Sequence, residues 1–157
     1  MSELKLDFYM SKRSKLIFDF FHIGQELPVY VHTVTEEEID KFCKLFGEKN
    51  PIYLNDEVAK KAGFLGRVAP PMMVRYYAHF QNVFKGFRET IPGHTIHASA
   101  EYHFLGPVRP GDMITTTGKV IDKYIKRDKK FLCFEFISKN QNKETVVVNR
   151  HTSLWPK

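Results

Sequence analysis

Long apolar runs are missing from this chain, and none of its 157 residues belongs to a stretch approaching the ~20 needed to span a bilayer. The opening residues, Met1-Ser2-Glu3-Leu4-Lys5, lack the cationic start and long apolar core of a secretory signal. Cysteine is scarce: Cys43 and Cys133 lie far apart in apolar surroundings, without metal-ligand spacing. They read as two reduced, buried thiols, and a reducing cytoplasm follows as the expected location. The histidines (His22, His32, His79, His94, His97, His103 and His151) show no His-x-x-x-His pattern on one helix. A glycine-rich phosphate loop, an internal repeat and a low-complexity tract are all absent. No metal, nucleotide or redox cofactor is implied.

What is present describes one compact domain with an ordinary globular balance, 43% hydrophobic and 27% charged. Fourteen Phe and seven Tyr suit a sheet packed around a helix. The net charge of +6 attracts phosphate groups, an acidic carrier protein or nucleic acid. The densest basic run, Lys123-Tyr124-Ile125-Lys126-Arg127-Asp128-Lys129-Lys130, falls between two strand-like segments and reads as a solvated hairpin tip. A nucleic-acid patch would recur on other elements. It does not, so nucleic acid is not expected as a partner, and without a spanning apolar run neither is a membrane.

Residues 1–25 are mixed in character and read as an N-terminal arm that packs on the domain or on a partner; 26–157 read as a single domain. Residues 28–34 alternate and are β-branched, the pattern of a strand. Thr35 and Glu38 form a capping-box signature. Ile39, Phe42, Cys43 and Phe46 then recur at i, i+3, i+4 and i+7, which predicts a helix over 36–46 ending near Gly47. Asn55 can cap a second short helix over 56–62, stopped by Gly63. Pro70-Pro71 starts a long helix, 71–84, apolar on most sides and therefore central. The remainder is β in character, with strands expected at 94–105, 113–126, 129–138 and 144–155, and a last turn at 140–143. Such long strands suit a sheet curled around a helix. The fold class is α+β, a long antiparallel sheet wrapped around a central helix.

Three phrases stand in order on this framework: Gly47-Glu48-Lys49-Asn50-Pro51-Ile52-Tyr53, Gly66-Arg67-Val68-Ala69-Pro70-Pro71, and Glu101 to Asp112. Together they resemble the MaoC-like hydratases and dehydratases of the hot-dog fold, over roughly residues 25 to 155, and most of all their N-terminal-half subfamily. The resemblance implies R-specific hydration of a trans-2-enoyl thioester, or dehydration of a 3-hydroxyacyl thioester, with coenzyme A as carrier on the substrate rather than a resident cofactor. In catalytic members an Asp and a His in the loop hold one water as an acid–base pair, which needs two groups of separated proton affinity. A backbone N–H at the entrance of the central helix stabilises the thioester oxygen.

This chain departs at each place. Glu48 replaces the Asp, Tyr53 replaces the His, and Pro71, which has no N–H, replaces the oxyanion Gly. An unperturbed tyrosine, with pKa ~10, shuttles protons poorly near neutrality. Tyr53 and Pro71 are typical of the non-catalytic half of two-hot-dog enzymes. The resemblance thus implies a substrate-tunnel half beside a catalytic hot-dog partner. A non-enzymatic homodimeric thioester-binding module and a self-sufficient dehydratase using Glu48 remain alternatives.

Candidate catalytic positions are Glu48 and Tyr53; candidate substrate-binding positions are Asn50, Arg67, Ala69, Pro70, Pro71 and His97. Each has a plainer reading. Glu48 is a residual base or a helix-terminal acid bonding local N–H groups. Asn50-Pro51 makes a rigid turn. Tyr53 lines a channel or an interface, and Arg67 meets a phosphate of coenzyme A or a surface carboxylate. His97 faces the ligand or is a satisfied core or interface residue, while Arg109 and Asp112 set a turn around Pro110-Gly111. A lone sheet edge makes a homodimer, or a heteromer with a catalytic subunit, the expected state.

Overall fold

A computed structural model describes residues 17–87, 91–92 and 94–156. Five strands, β1 (Tyr30–Thr33), β2 (Ile96–Phe104), β3 (Met113–Lys126), β4 (Lys129–Lys139) and β5 (Thr145–Trp155), form one antiparallel sheet ordered β1-β3-β4-β5-β2. The β3–β4 hairpin closes on Arg127 and Asp128, both left-handed (φ 50° and 59°), the two-residue turn that matches strand twist. Along β4, Leu132, Phe134, Phe136 and Ser138 are buried while their neighbours are half-buried, so one face points inward. This is the sheet-around-helix arrangement that the sequence implies.

Helix α1 (Glu36–Phe46) carries its capping box: Thr35 accepts from Glu38 N and Glu38 from Thr35 N. Gly47 ends it in the left-handed region at φ 66°. Asn55 caps α2 (Asp56–Lys61) by accepting from Val58 N at 3.0 Å. β1 is shorter than the alternation of 28–34 suggests, because its ladder with β3 covers only Tyr30 to Thr33.

The expected continuous helix over 71–84 does not form. Pro71–Met73 is a 3-10 turn, α3 is Val74–Tyr77, and α4 is Phe80–Phe84 after an extended His79 (ψ 135°). No proline or glycine breaks the helix; side chains of the sheet beneath it and local caps do. Thr116 Oγ1 donates to Tyr77 O at 2.6 Å and Asn149 Nδ2 to Ala78 O at 3.0 Å. Asn82 Nδ2 donates back to Tyr76 O at 2.8 Å, and His79 Nδ1 accepts from Gln81 N. The carbonyls released by the break are therefore satisfied from both sides.

These polar side chains form a belt between two apolar clusters. One joins α1 and α3 to Ile114 and Val147; the other joins Phe18, Phe21, Leu27 and Phe84 to Phe134, Phe136 and Trp155. The arm residues Phe18 and Phe21 thus pack on the domain itself. Residues 1–16 lie outside the described residues. Gly118 makes the second cluster possible, since a Cβ there would fall 2.6 Å from the Phe136 ring.

Candidate functional site

The site grows from the end of α1. Glu48 N continues the helix cap to Cys43 O at 2.9 Å. The Glu48 side chain folds back, and its Oε1 accepts from Lys49 N at 3.0 Å and Asn50 N at 3.1 Å. Asn50 Oδ1 then accepts from Ile52 N at 3.3 Å, capping the 3-10 turn Pro51–Tyr53. Both polar side chains of the loop are engaged in shaping it, the plainer of the readings open for each.

Tyr53 follows and packs half-buried against the α1–α3 core. Burial first, then the charge of Glu48, raises its phenol above the ordinary tyrosine value. Tyr53 is therefore a neutral phenol at neutrality. It lines a cavity of about 200 Å³ with Ile52, Phe64, Val68, Ala69, Pro71, Tyr77, Phe104 and Val108. Val68 N donates to Ile52 O and Ala69 N to Val108 O (2.7 Å), which ties the loop, the helix entrance and the strand approach into one wall. The Ala69 amide is thus occupied, and Pro70 and Pro71 have none to offer.

Exposed apolar residues stand next to the cavity wall in sequence: Leu54, Met72 and Leu105, with Phe104 of the wall itself also exposed. Beside them runs β2, a sheet edge on which every residue except Tyr102 is exposed.

The structure brings together Glu48, Asn50, Tyr53, Ala69, Pro70 and Pro71 around this cavity and its loop. Arg67 is turned away from it: Nη1 donates to Asp40 Oδ1 at 2.8 Å, Nη2 lies 3.4 Å from Glu36 Oε2, and its N–H donates to Asp56 Oδ1. It clamps α1 and α2 and borders a separate polar cleft with Arg109 and Asp112. His97 is the second residue of β2, seven residues from Phe104 and so about 24 Å along the strand. Its ring lies 4.4 Å from that of His151. Asp112 accepts from Arg109 N at 2.8 Å and holds the Pro110-Gly111 turn.

Sequence reasoning missed Phe64, Tyr77, Phe104 and Val108 as cavity wall. Phe104 and Val108 lie within the third phrase, but Tyr77 points inward only because of how α3 sits on the sheet. Among the described residues no three His, Cys, Asp or Glu side chains group to hold a metal ion, and no helix is long and apolar enough to cross a membrane.

Comparison with known proteins agrees with this geometry. Residues 21–149 match the family described as the FAS1-like dehydratase domain region. A UPF0336 protein of Streptomyces avermitilis is 28% identical over 101 residues, covering 59% of this chain and 64% of its own length. The (R)-specific enoyl-CoA hydratase of Rhodospirillum rubrum is 32% identical over 102 residues, covering 65% of this chain and 67% of its own. Among solved structures, a monoamine oxidase regulatory protein from Archaeoglobus superposes with a TM-score of 0.81 at 26% identity, over 92% of this chain and 97% of its own. The HadBC (3R)-hydroxyacyl-ACP dehydratase complex of Mycobacterium tuberculosis shares the fold at a TM-score of 0.73 and 19% identity, over 84% of this chain and 96% of the matched chain. With a family match across most of its length and the hot-dog sheet in place, this chain belongs to the FAS1-like dehydratase family of MaoC-like hot-dog hydratases and dehydratases.

Proposed function

We propose that this chain is the substrate-tunnel half of a two-hot-dog hydratase or dehydratase, binding trans-2-enoyl-coenzyme A or a 3-hydroxyacyl thioester beside a catalytic partner that supplies the acid–base pair. The observation that carries the reading is the fate of Glu48. Its carboxylate is taken up by the Lys49 and Asn50 amides, and its neighbour Tyr53 is a phenol with raised proton affinity. An acid–base pair of separated proton affinities on one water is not built from these two.

The cavity, in contrast, is lined mainly by apolar side chains, and its volume of about 200 Å³ suits the acyl part of a thioester. The exposed apolar residues around it and the unpaired β2 edge support a second hot dog closing over the cavity. The HadBC (3R)-hydroxyacyl-ACP dehydratase complex supports a heteromeric assembly, and the R-specific hydratase relative supports the reaction class.

Hydration of crotonyl-coenzyme A by the purified chain, followed by loss of enoyl absorbance, tests this. The expected result is no turnover together with a rise in melting temperature at millimolar thioester. Turnover near an ordinary enzyme's ~10 s⁻¹ that Glu48→Gln abolishes would replace this reading with a self-sufficient dehydratase. Absence of both turnover and thermal shift would remove the thioester site altogether.

A further inference from the structure

The basic run at 123–130 takes no part in the acyl cavity, and the structure gives it company that the sequence did not. β3 bulges between Val120 and Asp122, which turns Lys123 to pair with inward Leu132 and Ile125 to pair with Lys130. Those residues therefore face the arm. Lys123 Nζ donates to Phe21 O at 2.8 Å and lies 4.4 Å from the centre of the Phe18 ring, with Lys130 Nζ at 5.3 Å from the same ring. The hairpin tip and residues 17–23 thus form one end of the molecule.

That end is apolar and mainly cationic, with Lys123, Lys126, Arg127, Lys129 and Lys130 set against the exposed Asp19, Asp122 and Asp128. Ile17 is 60% exposed, Phe20 45%, Ile23 61% and Ile125 63%. Lys126, Arg127 and Lys129 project from the turn and form no ion pair among the described residues. We infer that this end docks on an anionic phospholipid surface, with Ile17, Phe20 and Ile125 entering the headgroup layer and Lys126, Arg127 and Lys129 meeting the phosphates.

The mixture decides between occupants. Exposed aliphatic side chains interleaved with cations match an interface that is charged outside and oily just beneath. A nucleic-acid backbone gives those isoleucines nothing to bury. A projecting two-residue turn also suits a soft surface better than a rigid protein partner, which needs broad complementary area. The orientation is compatible with the acyl site, because Met113 and Lys126 stand at opposite ends of β3, about 40 Å apart by strand rise. Docking by the tip leaves the cavity and the Phe104 end of the β2 edge free, because Phe104 is level with Val147 and Ser138 while Ile96 is level with Leu154 and Phe131. The tip is a solvated hairpin end, as the sequence leads one to expect, and the proposal departs from the expectation that no membrane is a partner.

The test is flotation of the full chain with vesicles of phosphatidylcholine containing 30 mol% phosphatidylserine, against pure phosphatidylcholine. Binding is expected only with phosphatidylserine, reduced at least tenfold by Lys126→Glu with Lys129→Glu, since each cation is worth roughly fivefold. Ile125→Ser is expected to weaken it severalfold. The same charge change at Lys60 and Lys61, on α2, is expected to leave it unaltered. Binding that ignores the tip charges, or that Lys60→Glu with Lys61→Glu weakens equally, would reduce the effect to net charge and overturn the proposal. So would indifference to Ile125→Ser, or no preference for the anionic vesicles. Circular dichroism of each variant separates these outcomes from unfolding.

Discussion

At the scale of single residues, direction matters more than identity. Glu48 keeps the charge that a catalytic loop uses, yet its carboxylate points back into its own turn. Glu48→Gln preserves an acceptor oxygen there and is expected to shift stability by less than ~0.5 kcal/mol in urea denaturation. Glu48→Ala removes both bonds and is expected to cost ~1 kcal/mol. Equal losses for the two substitutions would show that the charge, not the turn, is what the position holds. Arg67 makes the same point. As a residue type it suits a phosphate, but two carboxylates already occupy it. Glu48 and Arg67 were both visible in the sequence as candidates with two meanings, and only the neighbours of each side chain chose between them.

At the scale of elements, local signals and tertiary signals divide cleanly. α1 and α2 carry their own caps, and the β3 and β4 boundaries follow from alternation and turn residues, so the sequence shows them directly. The break between α3 and α4 has local caps in His79 and Asn82, but its other partners, Thr116 and Asn149, lie 39 and 71 residues away from the carbonyls they hold. Thr116→Val and Asn149→Leu each strand a buried carbonyl and are expected to destabilise the protein by ~1–3 kcal/mol. The double variant, measured by chemical denaturation, is expected to depart from additivity, because both bonds hold one break. Strict additivity would mean that the break persists without them. Gly118→Ala is expected to lower the melting temperature by several degrees, since a methyl 2.6 Å from the Phe136 ring forces the sheet and the arm apart. An unchanged melting temperature would show that Phe136 can move aside.

At the scale of the whole molecule, three imidazoles meet where β2 joins β5 beside the broken helix: His79, His97 and His151, with Arg75 nearby. Burial first, and the neighbouring imidazoles and Arg75 second, depress His79 to about 4 and His151 to about 3. Both are buried, so in the folded protein both are neutral at neutrality. Below the ordinary histidine value of ~6.5 the unfolded chain takes up protons that the folded chain refuses. Stability therefore rises with pH across this window, and acidification from pH 7 to 4.5 is expected to cost a few kcal/mol. Urea denaturation at several pH values checks the slope, and His151→Gln is expected to flatten it. A profile unaffected by that substitution would place the acid sensitivity elsewhere.

By itself the sequence determined the helix caps, the strand alternation and the family phrases, because each depends on residues within a few positions of one another. It also determined that the loop lacks the Asp–His pair, which is a matter of identity alone. Tertiary structure decided the rest. Whether a helix runs through or breaks depends on donors brought from distant strands. Whether a carboxylate is a base or a cap depends on which amides it reaches. Which side chains line the cavity depends on how α3 lies across the sheet, and whether a basic hairpin is bare or apolar depends on the arm folded against it. All of these are contacts across long stretches of chain, created only when the sheet closes around its helix.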